Sequence, residues 1–261
     1  MSRSAKRRAP TRSQDRSAAI ARRKAARVLA VVGVLAITIV GAVIVNRAPA
    51  SKDGGKSDQQ KRVPAAAACG SQPPTPHIAQ SFGNPPPLEI PAGVDFRAVI
   101  KTSCGDIDLD LLEETAPQTV ANFVFLTRRG FYDGRKWFRI ENNSVIQTGD
   151  PNDLNGIPPD GPGYTIPDEL PKKAHDYVFG VVGMANTGQP HSGGSQFFIV
   201  IHHDEPAGYD PRYSIFGKVS PSSYEVLDKL GEQKTYGGND PIKSVTPITP
   251  VFIDSVKITE R

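Results

Sequence analysis

The chain has few side chains that ligate metals, with 2 cysteines and 5 histidines among 261 residues. None of the histidines has zinc-type spacing, and the adjacent His202 and His203 would point to opposite faces of a strand. Ser195 lies in Gly-Gly-Ser-Gln-Phe, which lacks the second glycine of the G-x-S-x-G nucleophile elbow. These absences argue against a metal site and against a serine hydrolase.

Basic charge is scarce outside the first 27 residues. Those residues hold ten Lys or Arg against one Asp, whereas the whole chain has 31 basic and 27 acidic residues, so the remainder carries a net charge near −5. Binding to nucleic acid needs cationic charge on the folded surface to neutralise phosphates. The formal charge of +4 therefore does not indicate a nucleic-acid partner.

The chain has one long apolar run, residues 28–45, in which Thr38 is the only polar side chain. A helix of that length nearly spans a bilayer core of about 30 Å. Because the cations precede the run, the positive-inside rule predicts a basic cytoplasmic tail (1–27), a single-pass helix in the cell membrane and an extracytoplasmic C-terminal part. The alternative is a cleaved signal peptide, since Ala48-Pro49-Ala50 has the small-x-small form of a cleavage site.

Residues 46–92 are rich in Ala, Pro, Gly, Ser, Lys and Gln and have no apolar period. This composition is typical of a flexible linker. Cys69 within the linker and Cys104 beyond it both lie on the predicted exterior side, where disulfides form. A bond between them would tie the linker to the first strands of the domain. The alternatives are two free thiols, or lipid attachment at Cys69.

Residues 93–261 have the pattern of a mainly β domain. Ile107, Leu109 and Leu111 alternate with aspartates, which predicts a half-buried strand in a hairpin that turns at Gly105. Further short strands are predicted at 136–140, 145–148, 178–184, 197–201, 213–219 and 251–259. Many short strands separated by Gly/Pro loops favour a closed β-barrel.

Two helices are predicted to accompany the strands. Pro117 suits the first turn of a helix, because its missing N–H needs no partner there, and an i, i+3, i+4, i+7 apolar face follows before Gly130. That face consists of Val120, Phe123, Val124 and Thr127. A second helix is predicted to begin with Ser223 as its N-cap and to end at Gly231.

Two motifs in the domain are more specific than any pattern of periodicity. The first is Trp137-Phe138-Arg139 followed by Val145 to Asp150, and the second is Met184 to Gly188 followed by Gly194 to Ile199. In this order the motifs resemble the cyclophilin family of peptidyl-prolyl isomerases, and the resemblance runs from about residue 94 to the end. It implies an eight-stranded antiparallel barrel capped by two helices, which isomerises X-Pro bonds without a metal or cofactor.

The resemblance implies catalytic roles for Arg139, Gln147 and Phe198. Arg139 matches the catalytic arginine of the family, and Gln147 matches the glutamine that holds this arginine and the substrate carbonyl. Phe198 matches part of the floor of the proline pocket, whereas strand alternation turns Phe197 toward the barrel core. The barrier of about 18–20 kcal/mol is lost amide resonance, and the proline nitrogen gains a lone pair as the bond twists. A guanidinium that donates only to the twisted state lowers this barrier.

The same resemblance implies the substrate-binding positions Ser144, Val145, Ala185, Asn186, Thr187, Gln196, Tyr209 and Tyr213. Asn186 matches the residue whose backbone clamps an extended peptide. Ser144 and Val145 stand where the family usually has Phe and Met, so two walls of the proline pocket are smaller. Losing a buried Phe wall costs about 1–3 kcal/mol, or one to two decades in efficiency.

Other departures affect the region that binds cyclosporin in the family. Gly208 stands where an aromatic residue often contacts that drug, and Tyr209 and Tyr213 stand at the usual Leu and His positions of the pocket. We therefore expect weak isomerase activity and weak binding of cyclosporin.

The leading interpretation is a monomeric, membrane-anchored bacterial cyclophilin that acts outside the cytoplasm. It would speed the folding of secreted or surface proteins by isomerising their X-Pro segments. The alternative is a non-catalytic module of the same fold that binds proline-containing segments or acts as a chaperone. Ser144 and Val145 favour the alternative, whereas Arg139 and Gln147 favour the enzyme.

Overall fold

The computed structural model of the protein describes residues 69, 80–87, 90–91, 93–152, 161–172, 176–203 and 211–261. The basic tail and the transmembrane helix predicted at 28–45 lie outside the described residues. Within the described ranges, no helix has both the length and the apolar character needed to cross a membrane.

The described part of the chain contains eight β-strands and two α-helices. In chain order they are β1 (Phe96–Thr102), β2 (Gly105–Leu111), α1 (Pro117–Arg128), β3 (Arg139–Glu141), β4 (Val145–Thr148), β5 (Val181–Met184), β6 (Phe197–Val200), β7 (Ile215–Val219), α2 (Tyr224–Gly231) and β8 (Ile253–Glu260). The domain is mainly β, as the sequence predicts.

The strands form one antiparallel sheet in the order β3-β4-β6-β5-β7-β2-β1-β8, curled into a half-barrel. β3 and β8, at the two ends of this order, do not pair as strands, so the barrel expected from the sequence is described as a half-barrel. The chain just ahead of β3 instead meets the start of β8 and the residues before it. Gly134 N–H donates to the Ile253 carbonyl (2.7 Å), Ile253 N–H donates to the Arg135 carbonyl (2.8 Å), and Trp137 N–H donates to the Val251 carbonyl (2.9 Å). β3 is only three residues long and pairs with β4 alone among the described strands.

The core forms where the predicted apolar faces meet. Val120 and Phe123 of α1 are fully buried, and Ile107 of β2 is buried beneath them in the same cluster. Phe197 of β6 points into this cluster, with its ring edge-on to Phe123 at 5.6 Å and to Tyr132 at 5.5 Å. The predicted inward face of α1 and the core-facing orientation of Phe197 are thus confirmed.

α2 begins and ends where the sequence predicts, but Ser223 does not cap it through its side chain. The Ser223 hydroxyl instead accepts a hydrogen bond from the Asp108 N–H of β2 at 3.0 Å. Leu227 and Leu230 are fully buried against the sheet. The serine therefore joins the start of the helix to β2 rather than closing the helix itself.

Residues 80–87, here called the strap, belong to the predicted linker but contact the domain. The Phe82 N–H donates to the Pro162 carbonyl at 2.7 Å, and the Phe82 ring packs edge-on against Phe125 of α1 at 5.3 Å. The Arg129 guanidinium lies over both rings, 5.6 Å from the Phe82 centroid and 4.4 Å from the Phe125 centroid. An aromatic side chain among prolines thus extends the packed unit ahead of the boundary expected at residue 93.

A disulfide joins Cys69 to Cys104, which are 35 positions apart in sequence and have their Cα atoms 4.5 Å apart. Cys104 lies in the turn between β1 and β2, so the bond attaches the predicted linker to the first hairpin. Further along the same segment, the strap packs on α1. The chain is therefore held to the domain at two separate points before β1 begins.

Candidate active site

The three predicted catalytic residues lie in one row across adjacent strands. In the register of the sheet, Arg139 of β3 is opposite Gln147 of β4, and Gln147 is opposite Phe198 of β6. Residues directly opposite each other on antiparallel strands project from the same face of the sheet. The local β pairing therefore brings together side chains that are up to 59 positions apart in sequence.

A chain of hydrogen bonds holds the polar members of this row. Arg139 Nη1 donates to Gln147 Oε1 at 3.1 Å, and Gln147 Nε2 donates to Gln196 Oε1 at 3.0 Å. Gln147 is thus fixed at both ends of its amide, and it orients the guanidinium on one side. Gln196 itself is almost buried, with 9% of its surface exposed. Such a network keeps a charged donor in a defined direction before any substrate arrives.

Glu141, which the sequence reasoning missed, holds the other side of the guanidinium. Arg139 Nη2 donates to Glu141 Oε2 at 2.5 Å, and the two side chains are 40% and 41% exposed. Residues two apart on a strand share a face, so a strand that runs one residue past the predicted end at 140 puts Glu141 beside Arg139. The pattern could have found this partner, but the predicted strand ended too early to include it.

Phe198 and its neighbours form a small apolar cluster beside the polar chain. Phe198 is 5% exposed and Val145 is 3% exposed, and Tyr213 packs against their cluster. The Tyr213 ring meets the Phe198 ring edge-on at a centroid distance of 5.1 Å. Ser144 is half-buried in the turn before β4, where its N–H donates to the Glu141 carbonyl at 3.0 Å. The aromatic ring of Tyr213, which lies just before β7, thus lines the site beside Phe198.

Tyr177, a second residue that sequence reasoning missed, fixes the backbone of Tyr213. Its hydroxyl donates to the Tyr213 carbonyl at 2.8 Å and accepts from the Tyr213 N–H at 3.1 Å. Burial raises the pKa of Tyr177 to about 12, so the hydroxyl stays protonated and able to donate near neutral pH. No local pattern around residue 177 predicts this contact.

Gly183 of β5 supports the Phe198 ring from the side opposite Gln147. The two residues are directly opposite each other in the β5–β6 register. A Cβ atom at position 183 would lie 2.5 Å from Phe198 Cζ and 2.9 Å from Cε1, closer than real Cβ contacts come. The ring of Phe198 can occupy its place only because residue 183 has no side chain.

The other predicted substrate positions line a neighbouring cavity of about 550 Å³. Ala185, Asn186, Thr187 and Gln196 contribute to its walls, and Gln196 connects it to the Arg139–Gln147 chain. The Asn186 amide is used within the protein, since Nδ2 donates to the Arg212 carbonyl at 2.7 Å and Oδ1 accepts from the Gly188 N–H at 3.0 Å. This geometry suits the predicted role of its backbone, rather than its side chain, in binding peptide.

The structure thus groups most of the predicted site residues but not all of them. The row on β3, β4 and β6 consists of Arg139, Gln147 and Phe198, and Val145 and Tyr213 pack beside it. Of the other described positions, Ser144 lies in the turn before β4, and the rest line the adjoining cavity. Tyr209 lies outside the described residues.

Comparison with known proteins identifies the family. Residues 97–256 match the family model described as "Cyclophilin type peptidyl-prolyl cis-trans isomerase/CLD". The chain is 32% identical over 164 residues to the peptidyl-prolyl cis-trans isomerase CYP18-2 of Arabidopsis thaliana, which covers 63% of this chain and 98% of that protein. It is 36% identical over 179 residues to the probable peptidyl-prolyl cis-trans isomerase A of Mycobacterium leprae, covering 62% of this chain and 91% of that protein.

A solved structure has the same fold. The crystal structure of a cyclophilin type peptidyl-prolyl cis-trans isomerase from Cryptosporidium parvum matches with a TM-score of 0.55 and 26% identity, covering 64% of this chain and 99% of that one. The half-barrel, the row of Arg139, Gln147 and Phe198, and the relatives' shared activity agree with one another. The chain therefore belongs to the cyclophilin-type peptidyl-prolyl cis-trans isomerases.

Proposed function

We propose that this isomerase acts through Arg139 on X-Pro bonds of secreted or surface proteins, from a domain anchored outside the cytoplasm of a bacterium. The observation that carries the mechanism is the clamped guanidinium, with Nη1 3.1 Å from Gln147 Oε1, in the same row as Phe198. A proline ring resting against Phe198 places its nitrogen on the side of the row where Arg139 lies.

The guanidinium can speed the reaction because the proline nitrogen gains a lone pair as the X-Pro bond twists. In the planar amide this nitrogen is a poor acceptor, because its lone pair is delocalised into the carbonyl group. As the bond twists, the lone pair localises and accepts a hydrogen bond from the guanidinium. The donor stabilises the twisted state more than the planar state, which is the condition for a faster rate rather than for tighter binding alone.

Proline-containing segments are the ligand class that best fits the site. A Cryptosporidium parvum relative, 26% identical with a TM-score of 0.54, was crystallised in the presence of the dipeptide Ala-Pro. In the present chain the smaller Ser144 and Val145 reduce the wall around the ring, while Tyr213 packs against Phe198 at 5.1 Å. These substitutions support weak activity and weak cyclosporin binding within the same mechanism.

The proposed location rests on the sequence. The apolar run at 28–45 follows ten basic residues, and a disulfide between Cys69 and Cys104 suits an oxidising compartment. Protease added to intact cells should remove the domain, and the mass of the remaining chain should show whether residues 28–45 are retained. Protection of the domain in intact cells would contradict an extracytoplasmic location.

One substitution distinguishes an enzyme with a reduced pocket from a module that only binds proline segments. Ser144→Phe in the full chain should raise kcat/KM for an X-Pro peptide about 10-fold, because it restores apolar contact with the proline ring. Exchange NMR of the peptide's cis and trans signals measures the rate, and Asn142→Phe in the same turn is the matched control. If neither the wild type nor Ser144→Phe enhances exchange, while both still bind the peptide, the protein is a binding module.

A further inference from the structure

We propose that Glu141 is a positioning residue of this isomerase, which fixes the plane of the Arg139 guanidinium toward the bound X-Pro bond. The proposal rests on the catalytic role proposed for Arg139 and adds a residue to the reaction. Its basis is the hydrogen bond from Arg139 Nη2 to Glu141 Oε2, which complements the one from Nη1 to Gln147.

The two contacts use different nitrogens of one rigid fork. A guanidinium carries five N–H donors, and Gln147 takes one on Nη1 while Glu141 takes one on Nη2. With a single contact the planar group can still rotate about that hydrogen bond. With two contacts on separate nitrogens its plane is fixed, and donors remain on the guanidinium for substrate.

The backbone around Glu141 is itself well fixed. The Glu141 carbonyl accepts from the Ser144 N–H at 3.0 Å, and Asn143 adopts a φ of 54° to close this turn between β3 and β4. The Ser144 carbonyl accepts in turn from the Ile201 N–H at 2.9 Å, just past β6. Glu141 therefore stands at the fixed end of β3, two residues after the arginine that it contacts.

The surroundings give the ion pair no large role in folding. Its two side chains are 40% and 41% exposed, and ion pairs with this exposure contribute little to the free energy of unfolding. The neighbours of Glu141 across the sheet are apolar: Val145 of β4 is opposite Glu141, and Val200 of β6 is opposite Val145. The negative charge of Glu141 is therefore better explained by its contact with Arg139 than by a contribution to the stability of the fold.

Orientation of a catalytic donor has a large effect on rate, because misplacement by about 1 Å costs up to 10²-fold. We expect Glu141→Ala in the purified full chain to lower kcat/KM for an X-Pro peptide about 10-fold. Glu141→Gln keeps a hydrogen-bond acceptor and should lose only about 2–3-fold. The melting temperature of both variants should stay close to that of the wild type.

The matched control is Asp110→Ala, which removes another strand carboxylate paired with an arginine. Asp110 Oδ1 lies 2.8 Å from Arg97 Nε, with the two side chains 45% and 36% exposed. This variant should leave kcat/KM unchanged. A fall in Asp110→Ala equal to that in Glu141→Ala would overturn the proposal, since it would reflect a general loss of surface charge.

A spectroscopic readout separates positioning from a purely structural role. In ¹⁵N-labelled full chain, the Arg139 guanidinium signals, assigned by their loss in Arg139→Lys, should be sharp in the wild type because rotation is restricted. They should broaden in Glu141→Ala and recover in Glu141→Gln. Unchanged signals in Glu141→Ala, or a variant faster than the wild type, would show that Glu141 does not hold the arginine for catalysis.

The double variant distinguishes failure of this proposal from failure of the proposed mechanism. If Arg139 is catalytic and Glu141 acts through it, Glu141→Ala should have no further effect in an Arg139→Ala background. An Arg139→Ala variant with wild-type activity would contradict the proposed function. A slow Arg139→Ala beside a fully active Glu141→Ala would contradict only the role of Glu141.

Discussion

The position of Phe198 depends on a residue without a side chain. A Cβ atom at position 183 would lie 2.5 Å from Phe198 Cζ, so the ring must move if residue 183 carries a methyl group. The Phe198 ring belongs to a packed cluster that includes Val145, with Tyr213 against it. Gly183 therefore sets the position of the Phe198 ring, which is the floor of the proposed proline pocket.

Gly183→Ala should lower kcat/KM by about 10-fold or more and the free energy of unfolding by about 1–3 kcal/mol, because it overpacks the pocket floor. Gly217→Ala is the control, since its Cβ would lie 2.8 Å from Leu109 Cδ1 in the other core cluster. The control should lose stability but keep its activity at temperatures where it stays folded. Equal losses of activity in both variants would show that the effect is general destabilisation.

The sequence motifs identified the site residues that lie within them. They did not identify residues that contact the site from other strands or loops. Arg139, Gln147 and Phe198 lie within recognisable motifs, and their predicted strands place them in one row. Tyr177 and Gly183 act by touching a site residue from another strand or loop, and their local sequence has no pattern for that. Glu141 lies between these cases, because strand alternation alone puts it beside Arg139.

At the scale of elements, the strap is the part of the molecule that departs most from its sequence pattern. Its composition predicts a linker, yet the Phe82 ring packs edge-on against Phe125 at 5.3 Å and the Phe82 N–H donates to the Pro162 carbonyl. Gln80 and Ser81 of the strap line the cavity next to the row of Arg139, Gln147 and Phe198. One aromatic residue, whose burial depends on a complementary surface on α1, turns a linker segment into part of the domain.

Phe82→Ala should lower the free energy of unfolding by about 1–3 kcal/mol, as expected for a partly buried aromatic side chain. Denaturant unfolding of the full chain measures the change. Asn84→Ala is the control, because Asn84 is exposed on the same strap. If the two variants unfold at the same denaturant concentration, the strap contributes nothing to stability.

Element ends were less predictable than element positions, for reasons visible in the hydrogen bonds. The strand predicted at 136–140 appears as Arg139–Glu141, because Lys136 forms only an isolated bridge, to Phe252 just ahead of β8, and is not part of a continuous ladder. The same feature leaves the sheet a half-barrel rather than the predicted closed one. Apolar periodicity identifies a strand, but the partner across each edge is set by tertiary packing.

At the scale of the whole molecule, the disulfide between Cys69 and Cys104 closes a loop of 35 residues and restricts the unfolded chain. Loop-closure entropy for such a length stabilises the folded state by about 3–4 kcal/mol. The first hairpin, which carries Cys104, is separated from β3 and β4 by several strands of the sheet. The bond should therefore affect stability far more than it affects the reaction.

Cys69→Ser/Cys104→Ser should lower the free energy of unfolding of the full chain by about 3–4 kcal/mol and leave kcat/KM within about 2-fold of the wild type. A reducing agent should lower the free energy of unfolding of the wild type by the same amount and should leave that of the double variant unchanged. A loss of activity on reduction, at a temperature where the chain stays folded, would argue that the disulfide shapes the active site.

In the proposed mechanism the clamped guanidinium of Arg139 stabilises the twisted X-Pro amide, and the kcat/KM of Arg139→Ala tests this role most directly. Removing a donor of this kind costs about 10²–10³-fold in rate, whereas peptide binding should weaken much less, because the planar amide gains little from the guanidinium. Arg97→Ala, which removes a half-buried arginine of β1 paired with Asp110, is the control and should be fully active. Exchange NMR on an X-Pro peptide should show the large loss for Arg139→Ala, and a rate equal to that of the wild type would contradict the mechanism.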